Sequence, residues 1–161
     1  MEWHIVEEKI NEEIIWLKNT IPVFNSEDKY DVSCDCFYRK IALLIITGLI
    51  KVREVNALDN GCLWGNLKNN NVIKIHKHGS DWHQGMMNIL DNYFKNDGYE
   101  VVTEPTLNFG RADLGLFRAS EIIYVEVGTT SIKKLYVNLS TLKNATILLV
   151  PREEQVIEFI L

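Results

Sequence analysis

The chain has 161 residues, 47% of them apolar and 24% charged, a composition that can bury a core and that excludes a disordered or low-complexity protein. A formal net charge of −5 excludes a protein that coats nucleic acid through a broad basic surface, since such binding scales with the phosphates neutralised. The longest apolar run, residues 41–50, is well short of the roughly 20 residues a membrane span needs.

Taken in order, residues 6–17 carry apolar side chains at 6, 10, 14 and 17, a helical stripe with acidic residues opposite, ended by Pro22. Residues 34–50 read as a second helix burying Phe37, Ile41, Leu44, Ile45 and Leu49. Strand-like runs follow at 51–58, 62–67 and 72–78, separated by Asp59-Asn60-Gly61 and by 68–71. Helices followed by a small meander predict a winged-helix-like module over residues 1–79, able to orient DNA or to dock a protein partner. The stretch 68–78 contains lysines and histidines and no acid, and reads equally as a local nucleic-acid contact or as a solvated hairpin. Cys34 and Cys36 have no second pair to complete a zinc site and read as structural thiols, and His76, His78 and His83 show no fourth ligand for zinc.

Ser80 is a fitting N-cap for a helix that runs to Asn96 and stops at Gly98. Its apolar stripe is Trp82, Met86, Ile89, Leu90, Tyr93 and Phe94. Strands are expected at 99–103, 111–117 and 121–127, a helix at 131–142, a strand at 145–150 and a short helix after Pro151. Residues 80–161 thus form an α/β domain in the order α-β-β-β-α-β.

The chemistry centres on the hairpin of the second and third of these strands. A turn at Ala119-Ser120 pairs Arg118 with Glu121, and counting back brings Asp113 opposite Glu126 on one face. The other face carries Leu114, Leu116, Ile123, Val125 and Val127, a core surface. Two opposed carboxylates repel, so a positive group is expected between them, and Mg²⁺ or Mn²⁺ suits a site of one or two carboxylates; the alternative is that one acid pairs with Arg111 and the other faces solvent.

The segments Gly98-Tyr99-Glu100-Val101-Val102-Thr103-Glu104-Pro105, Gly110-Arg111-Ala112-Asp113-Leu114-Gly115 and Tyr124-Val125-Glu126-Val127-Gly128 resemble the PD-(D/E)XK nuclease superfamily. They are most similar to its archaeal Holliday-junction-resolvase-like and RecB-like members, over about residues 80–150. The resemblance implies a restriction-endonuclease-like core and metal-dependent cleavage of phosphodiester bonds. It makes Asp113, Glu126 and the main-chain carbonyl of Val127 metal ligands, with Glu104 as a further acid and His83 as a metal- or phosphate-contacting residue. Where the family motif has a lysine two residues after the second acid, this chain has Gly128. Some relatives supply that lysine from the next helix, which makes Lys133 and Lys134 candidates, and the run 128–131 offers backbone N–H groups to a phosphate.

The expectation is a cytoplasmic, metal-dependent DNA endonuclease that does not enter the membrane, acting on branched or structured DNA. A homodimer is expected, because cutting two strands calls for two active sites. The alternative is a catalytically inactive nuclease fold that binds DNA as a regulator, favoured by Gly128 and the acidic net charge.

Overall fold

A computed structural model describes residues 2–23, 32–55, 79–152 and 155–161. The expected strands at 62–67 and 72–78, the basic stretch 68–78, and Cys62, His76 and His78 lie outside these residues. The described elements are helices α1 (Trp3–Thr20), α2 (Val32–Ile46), α3 (Gly79–Asn96) and α4 (Ile132–Thr141) with strands β1 (Lys51–Val55), β2 (Glu100–Thr103), β3 (Thr106–Leu107), β4 (Gly110–Arg111), β5 (Leu114–Arg118), β6 (Glu121–Val127), β7 (Thr146–Val150) and β8 (Val156–Ile160). Six strands form one mixed sheet in the order β1-β8-β7-β6-β5-β2, and β3 and β4 make a separate small hairpin. Only β6 and β7 pair in parallel within the described sheet, with α4 as the crossover a parallel pair requires.

Alternation along the strands divides the core into two layers. Ile147, Leu149, Ile157 and Phe159 face α1, α2 and α4, where they meet Ile10, Leu17, Ile41 and Leu135. Leu114, Leu116, Val125, Val127, Leu148 and Val150 face α3, where they meet Trp82, Met86, Leu90 and Phe94. Strand β7 is covered on both sides, which is why it is apolar without a break after Thr146. The protein is therefore mixed α/β with helices on both faces of the sheet.

Among the described residues the boundary expected at 79 separates no two cores. Strand β1 pairs antiparallel with β8, Lys51 opposite Ile160 and Val55 opposite Val156. The helices α1 and α2 share one cluster with α4 and the sheet. Turn signals mark where a strand ends and not which partner it finds, and β1 finds its partner at the far end of the chain. The short helix expected after Pro151 is instead β8, which continues the sheet from β7 as Ile147 pairs with Phe159. The second helix ends at Ile46 and not at 50, leaving Leu49 70% exposed and placing Tyr38, Ile41 and Ala42 in the core. Gly48, at φ 76°, takes the chain out of the helix there. Residues 110–111 belong to β4, so the strand expected from 111 begins at Leu114.

The register of β5 against β6 is tightly specified. Arg118 pairs with Glu121 across a turn in which Ala119 has φ 51°. Tyr99 donates a hydrogen bond to Glu121 at 2.5 Å, and the Arg118 guanidinium lies 4.1 Å above the Tyr99 ring. Burial, and then the bond to Glu121, push the Tyr99 hydroxyl up to about 12, while that bond and Arg118 hold Glu121 below its ordinary value. A slip of one residue would break this cluster and turn every core side chain of the hairpin to the wrong face.

Shared burial predicts one cooperative unfolding transition. Leu17→Ala is expected to cost about 2–5 kcal/mol and Phe159→Ala about 3–5 kcal/mol, each lowering the midpoint of that same transition in calorimetry. An early, separate transition in Leu17→Ala alone would show that α1 is not part of the cooperative unit.

Candidate active site

Asp113 and Glu126 reach the same cleft by different routes. Extending the register beyond Leu114 opposite Val125 brings Asp113 level with Glu126, as the two-residue turn requires. Asp113 stands just outside β5, its own N–H donating to the Val125 carbonyl at 3.0 Å. Its Oδ2 accepts the Val127 N–H at 2.7 Å, so the side chain continues the ladder where the backbone of β5 has ended. One carboxylate oxygen is thereby fixed by the sheet, while Oδ1 lies 3.4 Å from Nε2 of His83 on α3.

Glu126 sits on β6 on the α4 side of the sheet and is 8% exposed. Its Oε1 lies 2.6 Å from the ammonium of Lys134. That nitrogen also donates to the Arg111 carbonyl at 2.5 Å, and its contact with Oε1 has the closeness of an ion pair without the direction of a hydrogen bond. Oε1 is a buried oxygen with no hydrogen-bond partner among the described residues. Burial holds the Glu126 carboxyl above the ordinary carboxylate value. Lys134 pulls it down, the negative charge of Asp113 pushes it up, and His83 pulls it down again.

Lys134 comes from the first turn of α4, whose N-cap Ser131 accepts the Lys134 N–H at 3.3 Å. A cation there faces the positive end of the helix dipole. Glu126 and the Arg111 carbonyl supply the compensation. Its neighbour Lys133 is exposed and turns into an adjacent groove instead.

Gly128 has φ 88°, so the chain leaves β6 in a left-handed conformation that costs an L side chain roughly 1–2 kcal/mol. A lysine two residues after Glu126 would not continue the strand's inward face. The ammonium at this site comes from α4.

The cleft measures about 390 Å³ and is lined by Trp82, His83, Asp113, Glu126, Lys134 and Arg152, with the chain at 127–129. The structure thus brings together four of the residues expected from the sequence, Asp113, Glu126, Lys134 and His83, with the backbone of Val127. It does not bring in Glu104, which is exposed, has φ 51° and pairs with Arg111 at 3.7 Å. Nor are the N–H groups of Gly128 and Thr130 offered to a ligand, since they donate to the carbonyls of Val150 and Pro22. Arg152 went unseen in the sequence. It follows β7, whose end lies beside that of β6 with Val150 opposite Val127, and residues just beyond the carboxyl ends of adjacent parallel strands line the crevice there.

Among the described residues no three or more His, Cys, Asp and Glu side chains are grouped to hold a metal ion. Two carboxylates in one cleft, Asp113 with Oδ1 3.4 Å from His83 and Glu126 with Oε1 against Lys134, nevertheless suit a hard divalent ion whose other ligands are water and substrate oxygens. No family model, curated protein or solved structure matches this chain.

Two outcomes are expected of this geometry. Because the ionised Glu126 costs more in burial than its partners return, Glu126→Gln is expected to melt no lower than the wild type at pH 7. A carboxyl raised in the folded state binds more protons there than in the unfolded chain. Its cost is therefore absent below the ordinary value of 4.5 and fully present above the raised one. The difference in Tm between the variant and the wild type should accordingly shrink as pH falls through that interval, and a constant difference would contradict the burial cost. In addition, Gly128→Lys should destabilise by about 1 kcal/mol or more in chemical denaturation, and it should not restore any activity lost in Lys134→Ala.

Proposed function

We propose that this chain is a metal-dependent deoxyribonuclease of the PD-(D/E)XK type, with a restriction-endonuclease-like core, that hydrolyses phosphodiester bonds in branched or structured DNA. The observation that carries this reading is the meeting of Asp113, Glu126 and Lys134, from three separate segments, in one cleft at the end of β6. Two acids and a lysine are the set the sequence resemblance implies, and the lysine from α4 answers the glycine in the motif.

In this reading the carboxylates of Asp113 and Glu126 would hold Mg²⁺ or Mn²⁺. Such an ion would supply Lewis-acid polarisation of the scissile phosphate and ease deprotonation of an attacking water. Lys134, held in the first turn of α4 beside Glu126, would set a positive charge beside the scissile phosphate, where a fixed cation stabilises the negative charge that grows during displacement. His83 holds the Asp113 carboxylate from the α3 side. Arg152 contributes a further positive charge at the cleft. Two such sites in a homodimer would serve the two strands of a duplex, and the remainder of the chain toward its N-terminus would orient DNA or a protein partner.

A second reading is a fold that binds DNA without cutting it. It is favoured by the missing third metal-ligating side chain among the described residues and by the net charge of −5.

Cleavage of labelled linear, branched and single-stranded DNA with Mg²⁺ or Mn²⁺ separates the two. Asp113→Ala, Glu126→Ala and Lys134→Ala are each expected to lower the rate about 100-fold or more, and EDTA to abolish it. Wild-type protein that binds DNA and cuts none of these substrates with either metal is the result that selects the second reading.

A further inference from the structure

Beside the acid cleft lies a second groove, of about 440 Å³, between the β3–β4 hairpin and α4, within the roughly 300–1,000 Å³ range of small-ligand clefts. Lys134 lines both, so the two are neighbours across one side chain. At the tip of the hairpin Phe109 is fully exposed, at 103%, while the residues around it are anchored. Leu107 and Ala112 are buried, and the Ala112 N–H donates to the Pro105 carbonyl at 3.1 Å. Asn108, with φ 52°, donates its side-chain amide to Asn138 Oδ1 at 2.6 Å and to Thr141 Oγ1 at 3.1 Å. Asn138 is 4% exposed, so this polar contact fastens the hairpin to α4. A wholly exposed phenyl ring on a fastened turn gains nothing from the fold of this chain. Lys133, for which the acid cleft has no use, lines the same groove.

We propose that Phe109 and Lys133 form a stacking site for an unpaired base of single-stranded nucleic acid, with the adjoining phosphate drawn toward Lys134. An aromatic face beside one or two cations is what binds a single strand independently of sequence, because each base offers a π-face and each link a negative charge. A duplex keeps its bases stacked on one another and would need many phosphate contacts, which a chain of net charge −5 is poorly built to supply. The inference rests on the nucleic-acid reading of the acid cleft. It deepens that reading by giving the substrate an unpaired segment next to the bond that is cut.

The test is binding, in EDTA, of a single-stranded oligothymidylate carrying one 2-aminopurine, followed by its fluorescence, with an equal-length duplex beside it. Wild type and Phe109→Trp should bind the single strand and quench the probe. Phe109→Ala should bind about five- to hundredfold more weakly, and Lys133→Gln should lower the salt slope by about one, with duplex binding insensitive to Phe109. Equal binding by wild type and Phe109→Ala overturns the inference, as does self-association in sedimentation that depends on Phe109, which would make the ring a contact between copies. Mn²⁺-dependent cleavage measured on the same oligonucleotides keeps the two readings apart. Cutting without any dependence of binding on Phe109 sinks the stacking site alone, and Phe109-dependent binding without cutting sinks only the nuclease. Wild-type protein that neither binds nor cuts sinks both.

Discussion

Glu126 is a carboxylate buried on a sheet strand, held against the Lys134 ammonium at 2.6 Å. A buried carboxylate is tolerated only when opposite charge comes with it, and this requirement reaches through much of the fold. It fixes where α4 begins, because Lys134 must stand in its first turn, and so it constrains the crossover from β6 to β7. It also ties the β3–β4 hairpin to the site, since the same ammonium takes the Arg111 carbonyl. Replacing the pair with apolar side chains of similar volume would give an easier core. A costly charged group in a cleft is one of the observations on which the proposed function rests.

The layers decide how that group is reached. Helix α3 covers one face of the sheet and brings His83 and Trp82 to the rim, while α4 covers the other and brings Lys134. Asp113 belongs to neither layer. It stands at the end of β5, with one oxygen serving the Val127 N–H as a strand backbone would. The cleft opens where the regular ladder runs out, so side chains from helices on opposite faces of the sheet and from strand ends converge there.

Much of this site was legible in the sequence because hairpin arithmetic is local. The Ala119-Ser120 turn, flanked by Arg118 and Glu121, fixes the register, and the register levels Asp113 with Glu126. The α4 lysines were legible as a pair, but choosing Lys134 over Lys133 required the helix phase set by Ser131. Glu104 escaped because its left-handed backbone, φ 51°, turns it out of the strand, which no composition argument foretells. Arg152 escaped because its place follows from β7 lying parallel to β6. The stretch 156–160, apolar but for Glu158, suits a strand or a short helix equally, and β7 and β1 on either side of it decide for the strand.

The pairing of β1 with β8 bears on how the protein is made. Strand β1 leaves the ribosome early, and the backbone groups that its partner edge will satisfy belong to the final described strand. Until β8 emerges, β1 lacks the strand it pairs with among the described residues, and the face that α1 and α2 must cover lacks Ile157 and Phe159. The N-terminal helices therefore wait, apolar sides exposed, for a strand synthesised at the other end of the chain. Closing so long a loop is slow relative to local helix formation, which makes this interval, more than the finished fold, the stage at which the chain is open to aggregation or to capture by a chaperone.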